Sequence, residues 1–404
     1  MALLKILTAV LILLFPLGEL GRFNIYNEIF TTLNDILVGV VVIYWLILIV
    51  CKNKLTELSK KKLSKPILIF IFIAFLSLML NYLNLKTEEL IGSFLYILRF
   101  AAYVSLYFVV SSFGHDFRKK IIYLMIVSGA LVILGGFVQY FLYSNLGNLY
   151  YLGWDEHLYR LFSSFLDPNF AASIISLFLT LVLSILFFKL EKSKKIRLAL
   201  VLLSVLAFTA LLLTYSRSGY LMAITSVLVL LFLLGKKKHI VILFAIFILG
   251  IVFIPKDFGG EGVRLLRTAS LVSRFEYLDN AVTIFKDNPI FGVGFNAYRY
   301  AQYRYGFLDG DSLRTSHSGA GTDNSLLFVL ATTGIIGFAS YLYIWFRVIK
   351  NHSSVQNNRY QRMISVAVVA SIVGLFVNAL FINSLSYPFV MEWMWILIGI
   401  RESK

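Results

Sequence analysis

Arg217 and Arg160 are the two basic residues best suited to binding an anion. Arg217 lies in the short polar stretch 214–219 between two apolar segments. A hairpin there would place its guanidinium beside the free N–H groups of the next helix, and these groups together favour a phosphate. The alternative is a snorkelling arginine that anchors the helix at the membrane interface. Arg160 is the only basic residue of its loop and is a candidate for a second phosphate contact.

Asp323 and His317 are the candidates for proton transfer. Both lie just before an apolar segment that begins near residue 326. Either side chain at such a position could act as a general base for a hydroxyl. The alternative is that Asp323 or Asn324 caps the helix and His317 is solvated. The chain has five His and one Cys, and no metal-ligand spacing appears, so we predict chemistry without a metal or other cofactor.

A run of aromatic residues with interleaved arginines lies upstream, formed by Tyr298, Arg299, Tyr300, Tyr303, Arg304, Tyr305 and Phe307. Such rings can stack on sugars, but they also form the ordinary interfacial belt of membrane proteins. Before this run, apolar residues recur at helical spacing from Phe275 to Phe285, directly after Arg274. The spacing predicts a short amphipathic helix, which we expect on the outer membrane surface. We count Arg274, Tyr298 and Arg299 as candidate substrate contacts.

The composition shows which elements must position these residues. The chain has 404 residues, of which 59% are hydrophobic and 14% are charged. Soluble domains carry about 25% charged residues. We predict an all-α polytopic membrane protein with a single integral membrane domain over residues 1–404. Apolar segments long enough for membrane helices predict twelve spans, near 3–20, 33–50, 67–82, 90–113, 121–142, 171–190, 198–213, 218–234, 240–253, 326–349, 363–382 and 387–400.

Lys and Arg residues give the orientation. On the N-terminal side, the terminus and alternate loops hold 24 of them, and the short loops of the opposite side hold four. This bias predicts that both termini are cytoplasmic. The long loop 254–325 then lies outside, with eight basic and eight acidic residues. The net charge of +16 is therefore a topology signal, not a nucleic-acid surface. Arg99, inside the fourth span, needs a partner or a water-filled cavity in the bundle.

Together these stretches resemble the O-antigen ligase and O-antigen polymerase superfamily. The resemblance covers most of residues 121–346. Each stretch is weak alone, but their order around a long loop between the ninth and tenth spans is fairly specific. The matching stretches are Gly136-Phe137-Val138-Gln139-Tyr140-Phe141, residues 160–169, residues 213–219, residues 274–295, residues 323–327 and residues 333–337.

The resemblance implies a metal-independent glycosyltransferase with a GT-C-like fold. Such enzymes take a glycan from an undecaprenyl-diphosphate carrier on the outer face of the cytoplasmic membrane. They pass it to a hydroxyl of lipid A core, of another glycan or of a protein, so the enzyme could be a ligase or a surface polysaccharide polymerase. Arg217 and Arg160 match family arginines that hold the diphosphate, which agrees with the preference of guanidinium groups for phosphate.

The chain departs from the family at one position. Members usually carry His immediately before the Asn that precedes the tenth span, and here Asp323 holds that place. The base is therefore Asp323 alone, Asp323 paired with His317, His317 alone, or neither residue.

A membrane transporter or flippase of lipid-linked or polar substrates is the alternative function. A transporter would be expected to show inverted repeats and discontinuous helices with charges at mid-membrane. Apart from Arg99, the sequence shows neither feature, so we favour glycan transfer.

Overall fold

The computed structural model describes residues 1–26, 29–152, 154–236, 238–253, 263, 269–310, 321–350 and 358–402. Within these ranges the chain is mainly helical, as predicted. The helices are α1 Ala2–Leu14, α2 Leu33–Cys51, α3 Leu55–Ser59, α4 Ser64–Leu80, α5 Thr87–Ser111, α6 His115–Leu142, α7 Pro168–Phe188, α8 Lys194–Leu213, α9 Arg217–Leu233, α10 His239–Phe253, α11 Ala269–Asp287, α12 Tyr298–Arg304, α13 Ser325–Lys350, α14 Arg359–Asn378 and α15 Pro388–Arg401.

The helices support a multi-pass membrane protein. In the described part of the chain, eight helical segments are long and apolar enough to cross a bilayer. Helices α4, α9 and α10 are apolar but shorter. The twelfth predicted span corresponds to α15, which has only 14 residues. Because a straight span needs about 20 residues, the short helices leave the number of crossings open. The count of twelve and the GT-C-like fold stay predictions.

A small β-hairpin interrupts the helical pattern near the N-terminus. The first predicted span ends as an α-helix at Leu14 and continues as a 3-10 segment, Phe15–Gly21. Strand β1, Arg22–Tyr26, then pairs antiparallel with β2, Ile29–Thr32. Gly18 has a φ of 53°, and a Cβ there would lie 2.6 Å from the carbonyl oxygen of Ser164. The close approach requires glycine and fixes the N-terminal segment against the loop before α7.

Arg99 has the partner that its position in the fourth predicted span requires. Its Nε and Nη2 donate to the two carboxylate oxygens of Asp35, each at 2.7 Å. The hydroxyl of Tyr103 donates to the same carboxylate at 2.8 Å. Asp35 also completes a capping box with Thr32 at the start of α2. The prediction that Arg99 faces the bundle interior is confirmed.

Helix α13 is broken at Gly334, where φ is 64° and ψ is −171°. The carbonyls of Ala331 and Thr332 accept hydrogen bonds from the N–H groups of Val293 and Gly294, at 3.0 and 3.1 Å. The loop after α11 thus takes the place of the missing helical turn. The prediction of no discontinuous helix was wrong here, because the helical hydropathy of the span hides a single glycine.

The predicted amphipathic helix is present as α11. Its residues Ala281 and Ile284 are fully buried and pack with Phe328 and Ala331 of α13. The apolar face of α11 therefore contacts protein, which the sequence pattern alone does not distinguish from contact with lipid.

Candidate functional site

The turn between α8 and α9 positions Arg217 at the first residue of a helix. Ser216 is the N-cap of α9, and its hydroxyl accepts a hydrogen bond from the N–H of Gly219 at 3.2 Å. Tyr215 has a φ of 51° and a buried ring that is hydrogen-bonded to Tyr140. Burial, together with Tyr140, raises the pKa of Tyr215, so its hydroxyl stays protonated and neutral. Arg217 is half-buried beside this rigid turn.

Arg160 lies against the same turn. It is 5% exposed, and its Nε donates to the carbonyl oxygen of Thr214 at 2.9 Å. The neighbouring Leu161 N–H donates to the carbonyl of Leu213, also at 2.9 Å. The structure therefore brings the loop of Arg160 and the turn of Arg217 together, although 57 positions separate the two residues (217 minus 160).

Gln139 holds the Arg160 loop from α6. Its side-chain oxygen accepts from the N–H groups of Phe162 and Ser163 at 2.8 and 3.1 Å. Its amide nitrogen donates to the carbonyl of Arg160 at 3.3 Å. Gly136, one turn earlier, allows the loop to approach, because a Cβ there would lie 2.9 Å from the side chain of Leu161. The sequence alone does not predict this role of Gln139, although an amide near the end of an apolar span indicates a buried polar contact.

The start of α7 completes the framework. Asp167 caps the helix by accepting from the N–H groups of Asn169 and Phe170, at 2.6 and 3.1 Å, and Pro168 is its first residue. An aspartate followed by proline is typical of the start of a helix. Asn169 has a further contact: its side-chain oxygen accepts from the Ser216 hydroxyl at 2.8 Å. The N-termini of α7 and α9 are therefore joined directly at this site.

Asp323 is half-buried just before α13. The cap of this helix is Asn324, whose side-chain oxygen accepts from the N–H groups of Leu326 and Leu327, both at 3.0 Å. Of the two residues proposed as caps, Asn324 fills that role.

Two hydrogen bonds connect the start of α13 to the framework of the arginines. Ser325 donates its N–H to the carbonyl of Ala379 at 2.8 Å. The preceding residue, Asn378, accepts from the Ser173 hydroxyl of α7 at 3.2 Å. The start of α13 is thus linked through the end of α14 to the first turns of α7, the helix that also contacts the turn of Arg217.

Residues 202–342 match the model of a family described as O-antigen ligase. This segment, about a third of the chain, is similar to the O-antigen ligase family. The resemblance to the O-antigen ligase and polymerase superfamily is thereby confirmed. The family supports an enzyme that transfers glycans in a membrane, with lipid-linked glycan and glycan acceptor substrates in general. No curated protein matches the chain.

The ligase segment contains Arg217, Arg274, Tyr298, Arg299 and Asp323 and ends before α14. Arg160 lies outside it. The structure thus adds a contact that the family match does not reach, since Arg160 binds the turn at the start of the matched α9.

The remaining candidates are Tyr298, Arg299, Arg274 and His317. Tyr298 is fully buried with its ring 6.0 Å from that of Phe328, so it packs α12 against α13. Burial raises the pKa of Tyr298. Arg299 is half-buried on the same helix. Arg274 lies in α11, but its side chain falls outside the described part of the chain, and His317 lies outside the described residues altogether. Their roles stay predictions.

Proposed function

We propose that this protein transfers a glycan from an undecaprenyl-diphosphate carrier to an acceptor hydroxyl on the outer face of the cytoplasmic membrane. The observation that carries the proposal is the contact of Arg160 with the Thr214 carbonyl, 2.9 Å, in the turn that leads into Arg217. The proposed acceptor is a glycan, lipid A core or a protein, and the enzyme is a ligase or a surface polysaccharide polymerase.

The chemistry of the leaving group favours this arrangement. When the bond from the sugar to the diphosphate breaks, negative charge grows on the diphosphate oxygens. Two guanidinium groups and the N-terminus of α9 offer fixed donors and positive charge there, with no need to rearrange during the reaction. The hydrogen bonds of Ser216, Asn169 and Gln139 keep this part rigid. In such a site, two arginines would take the role that a metal plays in other transferases, so we include metal independence in the proposal.

The acceptor hydroxyl must lose a proton, and we propose Asp323 for this role, alone or with His317. Asn324 already caps α13 through its own side chain. We propose that the neighbouring Asp323 carboxylate accepts this proton. The hydroxyl oxygen then bonds to the sugar carbon as the diphosphate leaves with the bonding electrons.

The decisive experiment is glycan transfer by purified protein in lipid nanodiscs, without any ion gradient. We expect Arg217→Ala to abolish transfer, and Arg217→Lys to retain little, because an ammonium cannot form the bidentate contact. Arg197→Ala, at the exposed start of α8, is a matched control that should keep full activity. Normal turnover by Arg217→Ala, or loss of activity in EDTA that Mg²⁺ restores, would contradict the proposal.

The same assay separates the transporter alternative. Transporters also contain broken helices such as α13. Here the carbonyls at the break accept hydrogen bonds from the N–H groups of Val293 and Gly294. A carrier protein would only move the lipid-linked substrate across the bilayer. It would form no new glycosidic bond. Transport without transfer would favour that function.

A further inference from the structure

A second group of polar side chains lies at the N-terminal hairpin. The hydroxyl of Tyr387 donates to the Glu19 carboxylate at 3.1 Å, and Arg22 lies 3.8 Å from the other oxygen of that carboxylate. The Arg22 guanidinium also lies over two rings, 4.3 Å from the centre of Phe30 and 5.6 Å from that of Trp154. These side chains come from three separate parts of the chain, the N-terminal segment, the loop of Trp154 and the start of α15. We call Glu19, Arg22, Trp154 and Tyr387 the Glu19 cluster.

The Glu19 cluster borders the proposed diphosphate site. The ring of Tyr387 stacks on Phe170 of α7, with ring centres 3.9 Å apart. The preceding residue, Asn169, accepts the hydrogen bond from Ser216 at the start of α9. The hydroxyl of Tyr387 is also within electrostatic reach of Asp167. One helix start, that of α7, therefore contacts the Glu19 cluster and the turn of Arg217.

The charges of the cluster do not favour a second phosphate. Glu19 balances Arg22, and nearby Asp35 balances Arg99 through two hydrogen bonds of 2.7 Å. An anion would lie next to two carboxylates and would have to compete for arginines that are already paired. A neutral ligand with many hydroxyl groups meets no such penalty.

The side-chain types suit such a ligand. A carboxylate accepts hydrogen bonds from hydroxyl groups, a phenol both donates and accepts, and a guanidinium donates. The indole of Trp154 and the phenyl ring of Phe30 offer flat apolar faces to the C–H groups of a sugar ring. Arg22 keeps 22% of its side-chain surface exposed and Glu19 keeps 9%, whereas Tyr387 is buried, so a ligand would approach the cluster from the side of Arg22.

We propose that the Glu19 cluster is a sugar-binding subsite that holds a glycan unit next to the diphosphate site. The subsite rests on the proposed function and specifies which part of a substrate lies beside Tyr387. The sugar belongs to the donor glycan or to the acceptor glycan, and both have the same hydroxyl chemistry.

The test compares binding of the lipid diphosphate with transfer of the glycan. The variants are Glu19→Gln and Tyr387→Phe, with Glu88→Gln and Tyr82→Phe as controls at exposed positions of similar chemistry. We expect each cluster variant to lower kcat/KM for transfer about tenfold, as for one lost hydrogen bond to a charged group. Binding of undecaprenyl diphosphate without a glycan should not change, and the controls should behave as the parent protein.

The kinetic constants identify the source of the sugar. If the variants have a higher KM for the lipid-linked glycan extracted from the host membrane, the subsite binds the donor. If they have a higher KM for the purified acceptor glycan, the subsite binds the acceptor. Both results support a sugar subsite. Unchanged KM and kcat for both substrates in Glu19→Gln and Tyr387→Phe overturn it.

Stability must be checked because the cluster also joins the hairpin to α15. Trp154→Ala leaves the pair of Glu19 and Tyr387 intact and removes the indole, which also packs against Leu146, Phe162 and Leu166, so it should raise the same KM whatever its effect on Tm. If Glu19→Gln lowers Tm and Trp154→Ala leaves KM unchanged, the cluster is structural and the subsite is wrong. Failure of the proposed function is distinct: Arg217→Ala would then keep transfer and diphosphate binding.

Discussion

We propose that two adjacent residues at the start of α13 have different tasks, Asn324 as the helix cap and Asp323 as the base. The Asn324 side chain accepts two backbone hydrogen bonds of 3.0 Å, as an N-cap does. Asp323 precedes it, half-buried, at the position where relatives of this superfamily usually carry histidine. A carboxylate in place of imidazole is a weaker base in water, with an ordinary pKa of about 3.9 against about 6.5. If Asp323 is the proposed base, the rate of transfer should depend on how strongly the site favours its protonated form.

The first prediction separates these tasks by substitution. Asp323→Asn should abolish transfer with an unchanged Tm, because the amide keeps the shape but cannot take a proton. Asn324→Ala should lower the stability by about 1 kcal/mol and keep measurable transfer, as expected for a lost N-cap. Transfer rates and thermal unfolding of both variants, with His317→Ala in parallel, provide the measurement. Near-normal rates in both Asp323→Asn and His317→Ala would remove this segment from the chemistry.

The residue types and their order along the chain predicted part of the site. They could not predict which side chains contact each other. The sequence singled out Arg160 and Arg217 as anion-binding candidates. It could not show that Gln139 fixes the Arg160 loop or that Asp35 neutralises Arg99, because such pairs come from distant segments. Thr32, three residues before Asp35, indicates a capping box at the start of α2. Hydropathy alone does not detect this pattern.

Among the elements, α7 and α9 approach each other most closely where glycine allows it. A Cβ on Gly219 would lie 2.4 Å from the Cβ of Ala172. Gly219 also donates the N-cap hydrogen bond to Ser216, so the contact fixes the direction of Arg217.

The second prediction follows from this contact. Gly219→Ala should push α9 away from α7 and reduce transfer at least tenfold, since small shifts of a positioning element cost large factors in rate. Gly39→Ala is the matched control, because nothing lies within 4 Å of a Cβ at that position of α2. Transfer rate and Tm of the two variants are the readouts. Equal activity of Gly219→Ala and the parent protein would show that α9 tolerates the displacement.

Helices α2 and α15 are joined by a buried polar pair. The amide nitrogen of Asn34 donates to the carboxyl group of Glu392, which is 1% exposed. Among the described residues, the other carboxyl oxygen, Oε1, has no hydrogen-bond partner. A buried charge with so few donors is expensive, whereas a neutral group at the same place is not.

The third prediction concerns this pair. Glu392→Gln should keep or raise the Tm, because it removes a possible buried charge and keeps the shape. Asn34→Leu should lower the Tm by several degrees, because it removes the donor and leaves the carboxyl group buried. Unfolding of both variants in the same detergent tests the prediction. A large loss of stability in Glu392→Gln would mean that Glu392 is ionised and paired.

At the scale of the whole molecule, hydropathy predicted where helices lie but not how they are interrupted. Most predicted spans coincide with observed helices within a few residues. The break of α13 at Gly334, the 3-10 segment Phe15–Gly21 and the β-hairpin after it were missed. The break and the 3-10 segment each depend on a contact with a distant segment, Gly334 against Ile290 and Gly18 against Ser164, whereas the hairpin is a local pairing that hydropathy does not show. The number of crossings is predicted from the lengths of the apolar segments, and the orientation is predicted from the distribution of Lys and Arg. Labelling of single cysteines tests the orientation directly.

The last prediction tests the orientation on which the proposed function depends. Cys51 is the single cysteine of the chain, and it is exposed at the end of α2, beside a loop that the basic residues place in the cytoplasm. A membrane-impermeant maleimide should therefore label Cys51 only after the cells are permeabilised. In a Cys51→Ser background, Asn148→Cys introduces a thiol at an exposed position between α6 and α7, in a loop predicted to lie outside, and it should react in intact cells. The reverse pattern would put Arg160 and Arg217 on the cytoplasmic side, away from a carrier presented on the outer face.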